Sequence, residues 1–416
     1  MTVENLIARR NAALGSAYRL FYASPVEFAR GEGVYLYDPD GNAYLDAYNN
    51  VPSVGHSHPR VTEAVTRQLA TLNTHTRYLT TGLVDYAERL LATHAVEAGQ
   101  AMFTCTGSEA NDLPLRIARH RTGGTGVIVT ANAYHGVTAA VAEVSPSLGI
   151  PPGGHVRTVP APPRARDVAA AIADLRRHGI RLAAFLADSL FSSDGVLPDA
   201  PGLTAVAGLV HAAGGLYIAD EVQSGFGRTG SHMWGYQRHG LAPDIVTMGK
   251  PMGNGMPIAG IVARHDVLED FGRTVRYFNT FGGNPVCVAA AAAVLDVLES
   301  ERLPANSEAT GAYLKAGLTR LADGSPCLAE VRGAGLYLGV DVTDAGGAPS
   351  GELAAAVVNG MRERRVLIST TGPLGHTLKI RPPLPFSRAH ADHFLTVISD
   401  VLQNGGWRLP KPTGKH

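Results

Sequence analysis

Six short apolar runs, Val127–Val129, Val156–Val159, Leu182–Ala187, Leu216–Ala219, Ile245–Met248 and Ile258–Val262, alternate with helical segments through the middle of the chain. A strand that leaves through a helix returns parallel to itself, so this alternation predicts an α/β fold, a doubly wound and mostly parallel sheet with helices on both faces. Sheets of that kind place ligands outside the carboxyl ends of their strands. The chain has 416 residues, more than one ordinary core accommodates, and its pattern changes near residue 303. From there it reads as a helix, the strands 336–342, 366–369 and 377–383, and a closing helix, which make a small α+β domain. The expected division is an N-terminal arm and hairpin over 1–50 that packs with the small domain, a large domain over 51–302, and the small domain over 303–416. The hairpin is read from Val34–Asp46, which alternates apolar and polar residues around Pro39-Asp-Gly-Asn42.

Composition removes several classes of function. Lysine plus arginine and aspartate plus glutamate number 36 each, and no long basic run occurs, so neither nucleic acid nor an anionic membrane surface is indicated. The cysteines Cys105, Cys287 and Cys327 form no paired motif, which argues against a disulfide framework or a cysteine zinc site. Histidines are scattered without a metal-binding pair. The N-terminus lacks the apolar segment of a signal peptide and no run is long enough to span a bilayer, so a cytoplasmic enzyme without a metal is expected.

Lysine is scarce, and one lysine is oddly placed. Only Lys250, Lys315, Lys379, Lys411 and Lys415 occur. Lys411 and Lys415 belong to a polar tail, and Lys315 to a helix with solvent-facing spacing, which leaves Lys250 and Lys379. Lys250 ends the apolar run Ile245–Met248 and opens a glycine-proline loop, although an unpaired ammonium is costly to bury. Asp220 ends the preceding run at Leu216–Ala219, one crossover earlier, so both side chains can reach the same rim of a parallel sheet. A desolvated lysine forms imines, whereas arginine does not, and a carboxylate at the same rim can hold a pyridine nitrogen protonated. The pair points to pyridoxal phosphate as cofactor, with a buried structural ion pair as the plain alternative.

Two further stretches fit that chemistry. Ala101–Thr104 reads as a buried strand that runs through Gly107 and Ser108 into a helix, whose free N–H groups make a seat for phosphate; a simple serine N-cap is the competing explanation. Pro114 lies beyond the first turn of that helix and is expected to kink it. Tyr134 and His135 follow a strand end, where an aromatic ring can stack on a planar cofactor or simply fill the core.

Seven ordered motifs carry a family resemblance over nearly the whole chain: Tyr48-Asn-Asn-Val-Pro-Ser-Val-Gly-His56, Leu72-Asn-Thr-His-Thr-Arg-Tyr-Leu79, Gly107-Ser-Glu-Ala-Asn-Asp112, Tyr134-His-Gly136, Asp220-Glu-Val-Gln-Ser-Gly-Phe-Gly-Arg-Thr-Gly230, Met248-Gly-Lys-Pro-Met-Gly-Asn-Gly255 and Asn279-Thr-Phe-Gly-Gly-Asn-Pro285. The sequence resembles the class III aminotransferases, pyridoxal-phosphate enzymes of fold type I. It is similar to the branch that holds alanine-glyoxylate aminotransferase 2 and the phosphoethanolamine phospho-lyases. The resemblance implies that Lys250 binds the cofactor's aldehyde as a Schiff base and moves a proton during catalysis. It further implies that Asp220 pairs with the pyridine nitrogen, Gln223 meets the ring hydroxyl, and Tyr134 and Val222 cover the two ring faces, with His135 beside Tyr134. Gly107 and Ser108 would hold the phosphate. Thr280 would reach it from a neighbouring subunit, so a homodimer with a shared site is implied. Tyr22, Ser193, Lys379 and Arg381 are the substrate-side candidates.

The chain departs from its relatives on the substrate side. Where many carry Glu-Pro-x-Gln-Gly-Glu, this chain has Asp188-Ser-Leu-Phe-Ser-Ser193, with serine in place of the second glutamate. The usual carboxylate-binding arginine is Lys379 here, with Arg381 two residues on and on the same strand face. The Ser-Pro-Tyr-Lys stretch usual in the phospho-lyases is Ser145-Pro-Ser-Leu148. The leading expectation is transfer of an amino group from an amine or amino acid to an oxo acid such as pyruvate. The alternative is elimination of phosphate from a phosphorylated amino alcohol such as phosphoethanolamine. Epimerase or mutase chemistry and a non-catalytic binding module rank below both.

Overall fold

The computed structural model describes residues 2–96 and 99–404; Lys411 and Lys415 lie outside the described residues. The N-terminus forms helix α1 (Val3–Leu14), and three short strands follow, β1 (Arg30–Glu32), β2 (Tyr35–Tyr37) and β3 (Ala43–Asp46). Helices α2 (Pro59–Leu69) and α3 (Thr81–Ala92) lead to the large sheet. Its strands are β4 (Gly99–Thr104), β5 (Gly126–Thr130), β6 (Val156–Val159), β7 (Leu182–Asp188), β8 (Leu216–Asp220), β9 (Ile245–Met248) and β10 (Ala259–Arg264). They lie in the order β4-β10-β9-β8-β7-β5-β6. All six apolar runs of the sequence are strands of this sheet.

Strands β9, β8, β7, β5 and β6 run parallel, whereas β10 is antiparallel to both of its neighbours. The reason lies in the connection. Parallel return needs a crossover of a dozen or more residues, and the chain between Met248 and Ala259 is a loop with no helix, so it can only turn back. Strand β4, expected to be buried, is instead half-buried, because it pairs with β10 alone and forms the sheet's edge. Helix α4 (Gly107–Thr122) follows it and continues through Pro114.

The C-terminal part contributes β11 (Leu328–Ala334), β12 (Tyr337–Val342), β13 (Val366–Leu367), β14 (Ser369–Thr371) and β15 (Thr377–Ile380). The run 366–369, expected as one strand, serves two sheets. Strand β13 pairs parallel with β3, while β14 pairs antiparallel with β15 in the sheet β11-β12-β15-β14. Buried Ile368 is the joint between them. The early hairpin and the late strands thus share a sheet, and this brings residues 46–50 beside the end of β15, where Arg381 N donates to Ala47 O at 2.9 Å.

Candidate active site

The parallel register sets one row at the carboxyl rim: Asp188 pairs with Asp220, and Asp220 with Thr247. Asp220 is 4% exposed. A buried carboxylate must find donors, and three segments supply them. His135 Nδ1 donates to Oδ2 at 2.7 Å, Asn111 Nδ2 donates to the same oxygen at 2.9 Å, and Val222 N donates to Oδ1 at 3.0 Å. Asn111 is itself fixed: its Nδ2 also donates to His135 O at 2.8 Å, and its Oδ1 accepts from Thr247 Oγ1 at 2.6 Å. Buried Ser145 lies under the same turn and accepts from His135 N at 3.0 Å.

Lys250 stands just past this row and makes no hydrogen bond among the described residues. Burial, and then Arg381, lowers its ammonium below the ordinary lysine range, while Asp220 and Asp188 pull the other way. Such a lysine gives up its proton more readily, which suits an amine that must attack a carbonyl or carry a proton.

Helix α4 starts above Asp220. Thr106 is its cap, not Ser108: Thr106 Oγ1 accepts from Glu109 N at 3.2 Å, and Glu109 Oε2 accepts from Thr106 N at 2.9 Å. This capping box leaves the N–H groups of Gly107 and Ser108 without a partner among the described residues. Ser108 Oγ accepts from Val137 N at 3.1 Å and ties down the Tyr134–Gly136 turn. Gly136 has φ 140°, and a Cβ there would lie 2.5 Å from Ser108 Oγ, so the close approach requires glycine. Tyr134, 39% exposed, and Val222, 6% exposed, lie near Asp220. Two free amides at a helix N-terminus, a held carboxylate and an unpartnered lysine fit a phosphorylated pyridine aldehyde.

The substrate-side candidates divide. Arg381 is 6% exposed and Lys379 7%. Neither forms an ion pair among the described residues. Arg381 Nη1 donates to Asn50 Oδ1 at 2.9 Å and to Gln223 Oε1, and the guanidinium lies 4.4 Å from the Tyr48 ring centroid. Its Nε is buried without a partner. Gln223 Oε1 also accepts from Asn50 Nδ2 at 3.0 Å. Lys379 Nζ has a single acceptor among the described residues, Ser192 O, at 3.4 Å. Burial, and then Arg381, holds it well below the ordinary lysine range. Asp188 faces Lys379 and Lys250, with its carboxyl raised by burial and by Asp220, and accepts from Leu190 N, Ser192 N and Ser192 Oγ.

Two candidates fall outside this cluster. Ser193 offers its carbonyl to Asn132 Nδ2 at 2.5 Å, and the residue that meets Lys379 is its neighbour Ser192. Tyr22 donates its hydroxyl to Ile368 O at 3.0 Å, so the ring against Arg381 is that of Tyr48. Thr280 is exposed on the loop before the helix Pro285–Ser300. Asn50, Tyr48 and Asn111 were present in the motifs without an assigned role. Asn111 had a signal: it is a polar residue in an otherwise apolar buried stripe of α4.

Among the described residues, no group of three or more His, Cys, Asp or Glu could hold a metal ion, and no helix is long and apolar enough to cross a membrane. The sequence model of the class-III aminotransferases matches residues 21–402. A Drosophila melanogaster protein named alanine–glyoxylate aminotransferase 2-like is 41% identical, covering 95% of this chain and 86% of that protein. A Caenorhabditis elegans ethanolamine-phosphate phospho-lyase homolog is 36% identical over 96% and 93% of the two chains. Among solved structures, an Arthrobacter phospholyase in complex with phosphoethanolamine superposes with a TM-score of 0.93 at 46% identity, covering 96% of this chain and 99% of its own. The Toxoplasma gondii ornithine aminotransferase, described with partial occupancy of pyridoxal phosphate, gives 0.85 at 26% identity over 96% and 94%.

Proposed function

Because the chain belongs to the class III aminotransferases and its cofactor is pyridoxal phosphate, we propose that it moves an amino group from an amine or amino acid to an oxo acid such as pyruvate. When bound, the cofactor supplies an aldehyde that condenses with amines and a ring that draws electrons from the substrate's Cα. The remaining work falls to this chain. Asp220, held by His135 and Asn111, would accept the hydrogen of the pyridine nitrogen and keep the ring charged. Lys250 would hold the cofactor covalently at rest, and its Nζ, once freed, is the base that would take the proton from the substrate's Cα and return it. Tyr134 and Val222 would cover the ring, Gln223 would meet its hydroxyl through the amide nitrogen, and Gly107 N and Ser108 N would receive the phosphate. Thr280 of a second copy of this chain completes that seat, so the active unit is a homodimer.

Arg381 carries the choice of an acid substrate. It is buried, Asn50 and Gln223 orient it through Nη1, and its Nε has no partner, so the Nε–Nη2 edge is placed to take a carboxylate bidentately. Truncation of Arg381 to Ala is expected to raise the KM for pyruvate by about ten- to a hundredfold, the cost of one charged hydrogen bond, with little effect on a neutral amine. An unchanged pyruvate KM removes the assignment.

A second reading has its own support. The 46% identical structure holds phosphoethanolamine, and Lys379 beside Arg381 gives the two cations that a dianionic phosphate favours. Incubation with phosphoethanolamine and, separately, with alanine plus an aldehyde separates them. Release of phosphate and ammonia from the first, with no amino transfer in the second, makes the enzyme a lyase.

A further inference from the structure

We propose that Lys379 rests as a neutral amine and takes a proton from solvent when an anionic substrate group enters, so that anion binding and proton uptake are one event. The proposal rests on the reading of Arg381 and Lys379 as the anion side of the site. Lys379 belongs to strand β15 and is 7% exposed, yet its only acceptor among the described residues is the Ser192 carbonyl at 3.4 Å. An ammonium has three hydrogens to place, and leaving two of them unbonded in a buried setting is costly. A neutral amine at the same point needs far less.

The charged neighbours point the same way. On its own chain segment Arg381 stands two residues on, and an arginine stays protonated at any working pH. Across the site Lys250 adds a second basic group. Adjacent strand β12 presents Tyr337, whose ring centroid lies 5.8 Å from Nζ, and Asp341, which is spent on Arg332 and Thr377. On the other side β14 offers only Ser369, Thr370 and Thr371. The last residue of β7 is Asp188, the one opposing charge facing Lys379 among the described residues, which lies beyond ion-pair distance and is already bonded to the loop that follows it. A second positive charge therefore has no ion-pair partner among the described residues until a substrate carboxylate or phosphate arrives. On arrival an N–H bond forms at Nζ and the buffer acid loses the same proton.

This arrangement differs in kind from two fixed guanidinium groups. A permanent cation pair would attract any anion at any pH. A pair with one titrating member binds anions more tightly as pH falls, by about tenfold per unit while one proton is taken up. It also lets the site lose part of its charge when the anionic product leaves.

The test is calorimetric titration of the holoenzyme at pH 8 with propionate, which has the carboxylate and nothing to transfer. Hepes and Tris differ in protonation enthalpy, so the difference in observed heat between them counts protons. Wild type is expected to take up about one proton per site, whereas Lys379→Arg binds propionate with uptake close to zero. Lys379→Met should bind several-fold more weakly, also without uptake. Binding by wild type without proton uptake, or equal uptake by wild type and Lys379→Arg, overturns the proposal while leaving the anion site in place. No propionate binding by wild type overturns the anion site itself. The wild-type measurement decides the matter even if neither variant folds.

Discussion

Asp220 is held in place by residues remote in sequence, and its partners are where catalysis is most open to a single substitution. Asp220→Asn is expected to lower the rate by several orders of magnitude with cofactor still bound, since the amide cannot keep the ring nitrogen charged; each tenfold loss corresponds to about 1.4 kcal/mol. His135→Leu removes one charged hydrogen bond, about 1.5–3 kcal/mol, and should cost ten- to a hundredfold in kcat with a shift of the cofactor's absorbance band. A spectrum and kcat both unchanged in the leucine variant would remove His135 from the site. Asp220 and Lys250 were legible because each ends an apolar strand with a charge. The bond between His135 and Asp220 was not, because it spans 85 residues and depends on which strands lie side by side. The same holds for Arg381 and Asn50, which are 331 residues apart and meet only through the shared sheet of hairpin and C-terminal strands.

At the scale of elements, α4 shows a local rule with a functional consequence. Its capping box occupies Thr106 and Glu109 and thereby keeps the amides of Gly107 and Ser108 free. Thr106→Ala should destabilise the protein by about 1 kcal/mol and weaken cofactor retention, measured by dialysis against a carbonyl trap. A melting temperature that falls while retention holds would separate the cap from the seat. The exit of α3 makes a different prediction. His94 stacks on Trp234 with centroids 4.1 Å apart, and burial pushes its pKa down to about 3. Above about pH 6.5 the folded and unfolded states both hold it neutral, so it adds nothing. Below that only the unfolded chain binds the proton, so stability falls as pH drops from 6.5 toward 3, by roughly 5 kcal/mol in all. Acid unfolding of His94→Phe should be less steep over that window; identical slopes would refute it. The sequence pattern revealed the strands but not the direction of β10 or the division of 366–369, since both depend on which strand each edge finds.

The whole molecule exposes apolar surface where its substrate side does not need it. Leu79 is 100% exposed, Phe281 68%, Tyr78 64% and Phe278 40%. They belong to two segments in contact: His75 packs edge-on against Phe278, and the Arg77 guanidinium lies 3.9 Å from the Phe278 centroid. Thr280 sits between Phe278 and Phe281, and Asn279 reaches Glu109 at the start of α4 at 3.4 Å. The exposed apolar surface, the half-buried edge β4 and the phosphate seat therefore share one flank. Exposed apolar area of this kind suits the interface of the proposed homodimer. A second copy on that flank would cover the aromatic residues and bring its own Thr280 toward this chain's Gly107 and Ser108. Assembly and cofactor binding would then be linked, because the cofactor binds the dimer's complete seat more tightly than a monomer's partial one. Leu79→Glu should shift sedimentation toward the monomer and weaken cofactor affinity at least tenfold, while Thr280→Ala should weaken affinity and leave the dimer intact. A Leu79→Glu monomer that binds the cofactor as tightly as wild type would show that each chain's seat is complete without its partner.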